Sequence, residues 1–182
     1  MRRGILATAG VICIAALAWA AVAIADDVQC HSGKSCKGTP FDDQITGSSK
    51  ADGIKAKAGN DSTYAKKGND TVDSGDGNDY VEGGGGDDKV FGGDGDDQFI
   101  IGGLFGGPGD DTVDGGDGAD DIYGGAGKDD LIGGPGDDQL DASGYGDNNT
   151  KDKLSCGSGT DTAFVNNKDK VPNDCEDVIV ER

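Results

Sequence analysis

The chain has little of what most folds and most active sites are built from. Aromatic residues are 5% of its 182 residues, and it holds one histidine, one methionine and one tryptophan. So few large apolar side chains argue against an ordinary globular core, because their burial is what offsets chain entropy. Basic residues are also scarce: 16 Lys and Arg stand against 35 Asp and Glu, a net charge of -19. That balance argues against nucleic-acid binding, which needs clustered positive charge at the phosphates. Neither H-E-x-x-H nor G-x-S-x-G occurs, and His31, the sole histidine, reads as a solvated loop residue rather than a catalyst. Glutamate is limited to Glu82, Glu176 and Glu181, which excludes an EF-hand with its bidentate Glu at the twelfth loop position. Low hydrophobicity with high net charge would suggest disorder if composition were all there was.

The order of the residues says otherwise. Arg2 and Arg3 precede an uncharged stretch from residue 4 to residue 25 that ends in Ala23-Ile24-Ala25, followed by Asp26-Asp27. A basic start, an apolar middle and a small-residue end make a secretory signal peptide over residues 1–25, with cleavage after Ala25 or Ala23. The alternative is an uncleaved membrane anchor, since the run is nearly long enough to span a bilayer. A lipoprotein reading at Cys13 is weak because bulky Ile12 precedes it. Cleavage would remove Cys13 and Trp19, leave no membrane span and take the net charge to -21.

Four cysteines would remain, Cys30, Cys36, Cys156 and Cys175. An even number in an exported chain reads as two disulfides. Of the three pairings, closeness in sequence favours Cys30–Cys36 and Cys156–Cys175. A zinc site lacks Cys-x-x-Cys spacing. Three N-x-S/T sequons occur, at Asn60, Asn69 and Asn148, and the first two, which lie inside repeat loops, are incidental.

Glycine is abundant, 35 residues, and it is periodic. The middle of the chain repeats every nine residues as G-G-x-G-x-D-x-U-x, with U apolar. Seven units begin at Gly38, Gly47, Ala56, Ala65, Ser74, Gly83 and Gly92. Residues 101–105 interrupt the pattern. Four further units begin at Gly106, Gly115, Gly124 and Gly133 and end at Asp141. The sixth position is aspartate in every unit: Asp43, Asp52, Asp61, Asp70, Asp79, Asp88, Asp97, Asp111, Asp120, Asp129 and Asp138. The eighth is Ile45, Ile54, Thr63, Val72, Val81, Val90, Phe99, Val113, Ile122, Leu131 and Leu140.

A fixed short period over this length points to a solenoid. Glycines let the first six residues form a tight loop. The last three can form a short strand with only U facing inward, so that turns about 4.8 Å apart build a thin apolar stack. Stacking also piles the sixth-position carboxylates on one another, where they repel. A cation between the loops is needed, and carboxylate and carbonyl oxygens suit Ca²⁺ better than Mg²⁺.

These nonads resemble the RTX, or haemolysin-type, calcium-binding repeat. The unit Gly83-Gly84-Gly85-Gly86-Asp87-Asp88-Lys89-Val90-Phe91 matches fully, as do those from Gly92, Gly106, Gly115, Gly124 and Gly133, and the unit at Ser74 departs only at its first residue. The resemblance implies an all-β, right-handed parallel β-roll (a β-solenoid) with two nonads per coil and, on the cysteine reading, disulfide-pinned ends. It implies several Ca²⁺ ions, each shared by units i and i+2, as by Asp79 with Asp97 or Asp111 with Asp129; eleven units allow about nine such sites. Lys50, Lys57, Lys66 and Lys67 lie in the first loops, where weaker or absent calcium is expected.

The expected organisation is a signal peptide over 1–25, an N-terminal cap over 26–37, repeats over 38–141, and over 142–182 a C-terminal degenerate repeat and cap. Within the last, 142–155 reads as a polar linker, Cys156 to Phe164 as a degenerate unit with Asp161 in the Asp column, and Val178-Ile179-Val180 as a closing strand. The whole resembles small stand-alone exported bacterial RTX-repeat proteins: secreted, calcium-binding and not an enzyme. The alternative is a calcium-dependent adhesion or interaction module with a cell-surface or polysaccharide partner. Ice binding would want a regular Thr row, and the third-position column is irregular.

Overall fold

The computed structural model describes residues 26–31, 35–98, 103–143, 150–171 and 173–181. The signal segment, with Cys13 and Trp19, and the sequon at Asn148 lie outside the described residues. No helix occurs among those described.

The chain runs as short strands that alternate between two sheets. One sheet holds β1 (Asp27–Gln29), β3 (Gln44–Thr46), β5 (Ser62–Tyr64), β7 (Tyr80–Glu82), β9 (Gly103–Pro108), β11 (Asp121–Ala126), β13 (Gln139–Asp141), β15 (Thr162–Val165) and β16 (Asp177–Val180), in that spatial order. The other holds β2 (Ser35–Lys37), β4 (Gly53–Ala58), β6 (Thr71–Asp76), β8 (Lys89–Asp94), β10 (Thr112–Asp117), β12 (Asp130–Pro135) and β14 (Lys153–Ser158). Every pairing is parallel, and within the uninterrupted repeats neighbours in a sheet are two nonads apart. This is the β-roll.

Its core is two files of side chains. Ile45, Thr63, Val81, Leu104, Ile122, Leu140 and Ala163 form one; Cys36, Ile54, Val72, Val90, Val113, Leu131 and Leu154 form the other, and all are buried. Eighth-position residues fill these files, as expected. The structure adds a second inward position. The longer strands have six residues and run from position seven of one unit to position three of the next, so position one also faces in. Ala56, Ala65, Ser74, Ala142 and Cys156 are buried there. The space is narrow: a Cβ on Gly92 would sit 3.0 Å from the Leu104 side chain and 2.3 Å from the Gly115 carbonyl oxygen. Small residues are what this position admits.

The break in the period is resolved differently from its reading in the sequence. Leu104, not Phe99, occupies the file between Val81 and Ile122, and Phe105 lies in β9. Asp97 keeps its place in the aspartate column. The five extra residues therefore fall between Asp97 and Gly103; Phe99 itself lies outside the described residues. The cause is that column and file are fixed separately, so an insertion is tolerated wherever it leaves both intact.

The reading of 142–155 as linker also needs correction. Leu154 continues its file 23 residues after Leu131, and β14 pairs along β12. The repeat resumes after a second five-residue insertion. Beyond it Asp161 stands in the column as expected. β16 closes its sheet, with Val178, Ile179 and Val180 exposed.

Both disulfides form as proximity suggested, Cys30–Cys36 and Cys156–Cys175. Cys36 and Cys156 sit at inward positions, so each bridge ties a terminal segment to the core.

A thin core leaves little room to relax. Leu131→Ala, between Val113 and Leu154, should cost about 2–5 kcal/mol, read by denaturant unfolding in saturating calcium. Exposed Lys89→Ala on the same sheet should change stability by under about 0.5 kcal/mol.

Candidate metal centre

All eleven aspartates of the column are buried, none more than 4% exposed. They lie along two edges of the roll, one for odd units and one for even, and Asp152 and Asp161 extend the two rows. The backbone N–H of each donates to Oδ1 of the aspartate one coil further on. Six such steps run from Asp43 through Asp61, Asp79, Asp97, Asp120 and Asp138 to Asp161, and five from Asp52 through Asp70, Asp88, Asp111 and Asp129 to Asp152, at 2.7–3.0 Å. The backbone carbonyls also engage the next coil: Asp43 accepts from Ser62 N–H, and Asp70 from Lys89 N–H.

The other carboxylate oxygen is left over. Among the described residues, Oδ2 of Asp61, Asp70, Asp79, Asp88, Asp111, Asp120, Asp138 and Asp161 is buried with no hydrogen-bond partner. A buried anionic oxygen without a partner is costly. Burial accordingly pushes these carboxyls up: Asp79, Asp88 and Asp138 to about 6, Asp61, Asp111 and Asp120 to about 7. Asp97 rises to about 8, with the neighbouring Asp120 and Asp79 adding to the effect of burial.

Backbone oxygens line the same edges. The fourth-position carbonyl of one loop points at the α-carbon of the fourth-position glycine in the next. A Cβ on Gly95 would lie 2.1 Å from Gly77 O, and one on Gly118 1.8 Å from Gly95 O; both glycines have positive φ. Glycine is thus required twice over, by backbone conformation and by the approaching carbonyl.

No three Asp, Glu, His or Cys side chains converge on one point among the described residues. A cation here would be held by carboxylates of stacked loops together with backbone carbonyls, an all-oxygen donor set suited to Ca²⁺. The orphaned Oδ2 atoms fit that ion. His31 stands apart, exposed, its Nδ1 3.2 Å from Gln29 O.

The first two loops differ. Thr39 N–H donates to Asp43 Oδ2 and Ser48 N–H to Asp52 Oδ2, so these oxygens are satisfied within their own loops. Lys57 and Lys66 take the second loop position at φ 103° and 83°, and Lys57 Nζ donates to Gly38 O. Lys50 and Lys67 are exposed.

Three features escaped the sequence reading. The fifth loop position forms a ladder of its own, running in the opposite sense. Asn60 N–H donates to Asp42 Oδ1, Asn78 N–H to Asn60 Oδ1, and Lys128 N–H to Asp110 Oδ1. The signal was present, since eight of eleven units carry Asp or Asn there. Asp152 was masked by the second insertion. The rows end on Asp169 and Glu176, which accept from Asp152 N–H and Asp161 N–H at spacings of 17 and 15 residues that no nine-residue period reveals.

Stacked glycine loops with buried carboxylates along both edges define a metal-binding repeat solenoid. The family model described as RTX calcium-binding nonapeptide repeat (4 copies) matches residues 37–72, 64–99 and 105–140. These cover more than half of the chain, which belongs to that family. No curated protein matches the chain.

The raised carboxyls set a pH dependence for the metal-free protein. Their folded-state pKa values exceed the unfolded value near 3.9, so the folded state binds more protons and stability falls as pH rises. Thermal melts in chelator should show stability greatest near pH 4 and lost as pH rises through 6 to 8. Melting temperatures that fell on acidification through this range would contradict the assignment.

Proposed function

We propose that this protein is an exported, non-catalytic calcium-binding roll whose folding is driven by the ion. The observation that carries the reading is the row of buried, unpartnered Oδ2 atoms along both edges. In a low-calcium cytosol the acidic chain repels itself and stays open. Outside the cell, where calcium is millimolar, binding energy becomes folding energy. The leader-like residues 1–25 and the two disulfides support secretion into an oxidising space.

The test is far-UV circular dichroism of residues 26–182 titrated with calcium from chelator to about 10 mM, since extracellular sites have dissociation constants near 0.1–1 mM. Calcium should produce a cooperative gain of β signal and magnesium should not. Asp120→Asn should move the midpoint to higher calcium, whereas Asp96→Asn, which keeps the Oδ1 acceptor used by Ala119 N–H, should leave it in place. A chain already folded in chelator at neutral pH would sink the reading.

A calcium-dependent interaction module is a second reading, favoured by one feature of the surface. Tyr64, Tyr80, Phe105 and Tyr123 form a continuous strip on the outer face of the nine-stranded sheet, with successive ring centroids 5.5, 5.5 and 4.5 Å apart. A groove of about 900 Å³ beside it is edged by Glu82, Asp141 and Glu181. Pull-down on cells or insoluble polysaccharide, with and without calcium, checks this. Tyr80→Ala should abolish retention and leave the calcium titration unchanged; equal retention of the variant would discard the strip as a binding surface.

A further inference from the structure

The charge of the roll is divided along its length. Residues 26–70 contain seven aspartates and seven lysines and are neutral overall. Residues 71–141 contain twenty Asp and Glu against Lys89 and Lys128, a net of -18. The hydrogen bonding divides one coil earlier, after Asp52. Asp43 has both carboxylate oxygens engaged, Oδ1 accepting from Asp26 N–H and Oδ2 from Thr39 N–H, and Asp52 Oδ2 accepts from Ser48 N–H, so neither leaves an orphaned Oδ2. Thr39 Oγ1 adds a further bond to Asp43. From Asp61 and Asp70 onward the unpartnered Oδ2 atoms begin.

Between the first and third loops the chain supplies its own cation. Lys57 Nζ, from the third loop, donates to the Gly38 carbonyl of the first. Lys57 and Lys66 are the two non-glycine residues with positive φ among the described residues. A side chain is held in that region only where its surroundings over-determine it. The equivalent position in all seven later units is glycine, with no side chain at all, as at Gly75, Gly84 and Gly93. The fifth position changes with it: Asn60 and Asn78 provide the acceptor without charge, Asn69 Nδ2 donates to Asp87 Oδ2, and Asp87, Asp96 and Asp110 follow.

We propose that the steps from Asp43 to Asp61 and from Asp52 to Asp70 are closed by hydroxyl-bearing loop residues and the Lys57 ammonium in place of metal, making residues 26–70 a calcium-independent base on which the calcium-dependent remainder of the roll assembles. This rests on the calcium reading above. Of the eleven hydrogen-bonded steps, nine remain for metal, from Asp61 to Asp161 on one edge and from Asp70 to Asp152 on the other. Nine divalent ions would carry a charge equal and opposite to the -18 of residues 71–141. The Cys30–Cys36 bridge pins the free end of the base.

Hydrogen exchange read by mass spectrometry on the exported chain, in chelator and in saturating calcium, tests the division, with native mass spectrometry giving the ion count. In chelator, amides of β3, β4 and β5 should exchange at least tenfold more slowly than the same peptides unfolded, while those of β8 to β13 exchange at unfolded rates. Saturation should stop at nine ions. Lys57→Met, which keeps the aliphatic stem and loses the ammonium, should abolish the protection in chelator and keep it in calcium. Loss of protection in residues 26–70 together with the rest overturns the base and leaves the calcium reading standing. Protection of the whole roll in chelator overturns both. Binding of eleven ions, or unchanged protection in Lys57→Met, overturns the role given to the loop residues and the ammonium.

Discussion

Repulsion between carboxylates stacked one per coil is the constraint to which everything else in this roll answers. A parallel solenoid repeats whatever it places at a given position, one strand spacing along, so a single aspartate in the motif becomes a row of buried like charges. Burial alone raises their pKa, and neighbours raise it further where the rows are deepest, as at Asp97. The core has little to set against this. Its two files contribute one aliphatic side chain per coil on each side, backed by Ala, Ser or Gly at the second inward position. Such a core holds the chain in register; it does not dominate the energetics. The sign of the net balance is therefore set at the edges, by whatever neutralises the rows.

That balance gives the fold a direction. Its first coils carry as many lysines as aspartates, use Thr39 and Ser48 to satisfy their own carboxylates, and are tied by a disulfide. Its middle carries almost nothing but anions. In a chain exported from its N-terminus the neutral segment would emerge first, and each later coil would add to an existing edge. Adding a coil costs less than starting one, because only the new strand has to be ordered. The closing strand β16 ends this growth with Glu176 and Asp169 capping the two rows.

Much of this was legible in the sequence, because in a solenoid a column of the repeat is a row in space. The aspartate column, the apolar file, a solenoid and both disulfides follow from spacing, and the parallel two-sheet roll is what the resemblance to the RTX repeat implies. What spacing did not show falls where spacing fails. Leu104 replaces Phe99 because an insertion was absorbed after Asp97, and either residue satisfies an apolar position. Asp152 and Leu154 were hidden because a five-residue insertion put them out of phase with every unit before them. The inward first position was hidden by its own smallness, since glycine and alanine read as loop residues. Lys57 was read as hostile to a cation; the structure shows it acting as one, bound to Gly38 O.

The two hydrogen-bond ladders, side by side, show why the sixth column matters electrically. Both are built alike, from a backbone N–H and a side-chain Oδ1 one coil apart, at similar distances. An amide serves such a bond as well as a carboxylate, and the fifth position accepts both: Asn60 and Asn78 stand in the same ladder as Asp42 and Asp96. It even admits Ala119 and Lys128, which only donate. The sixth position, built for the same bond and buried more deeply, is aspartate in all eleven units and never asparagine. Hydrogen bonding does not explain that choice, since asparagine would make the bond without the cost of burying a charge. The charge itself is what the sixth position retains, and a buried row of charge is stable only with cations beside it.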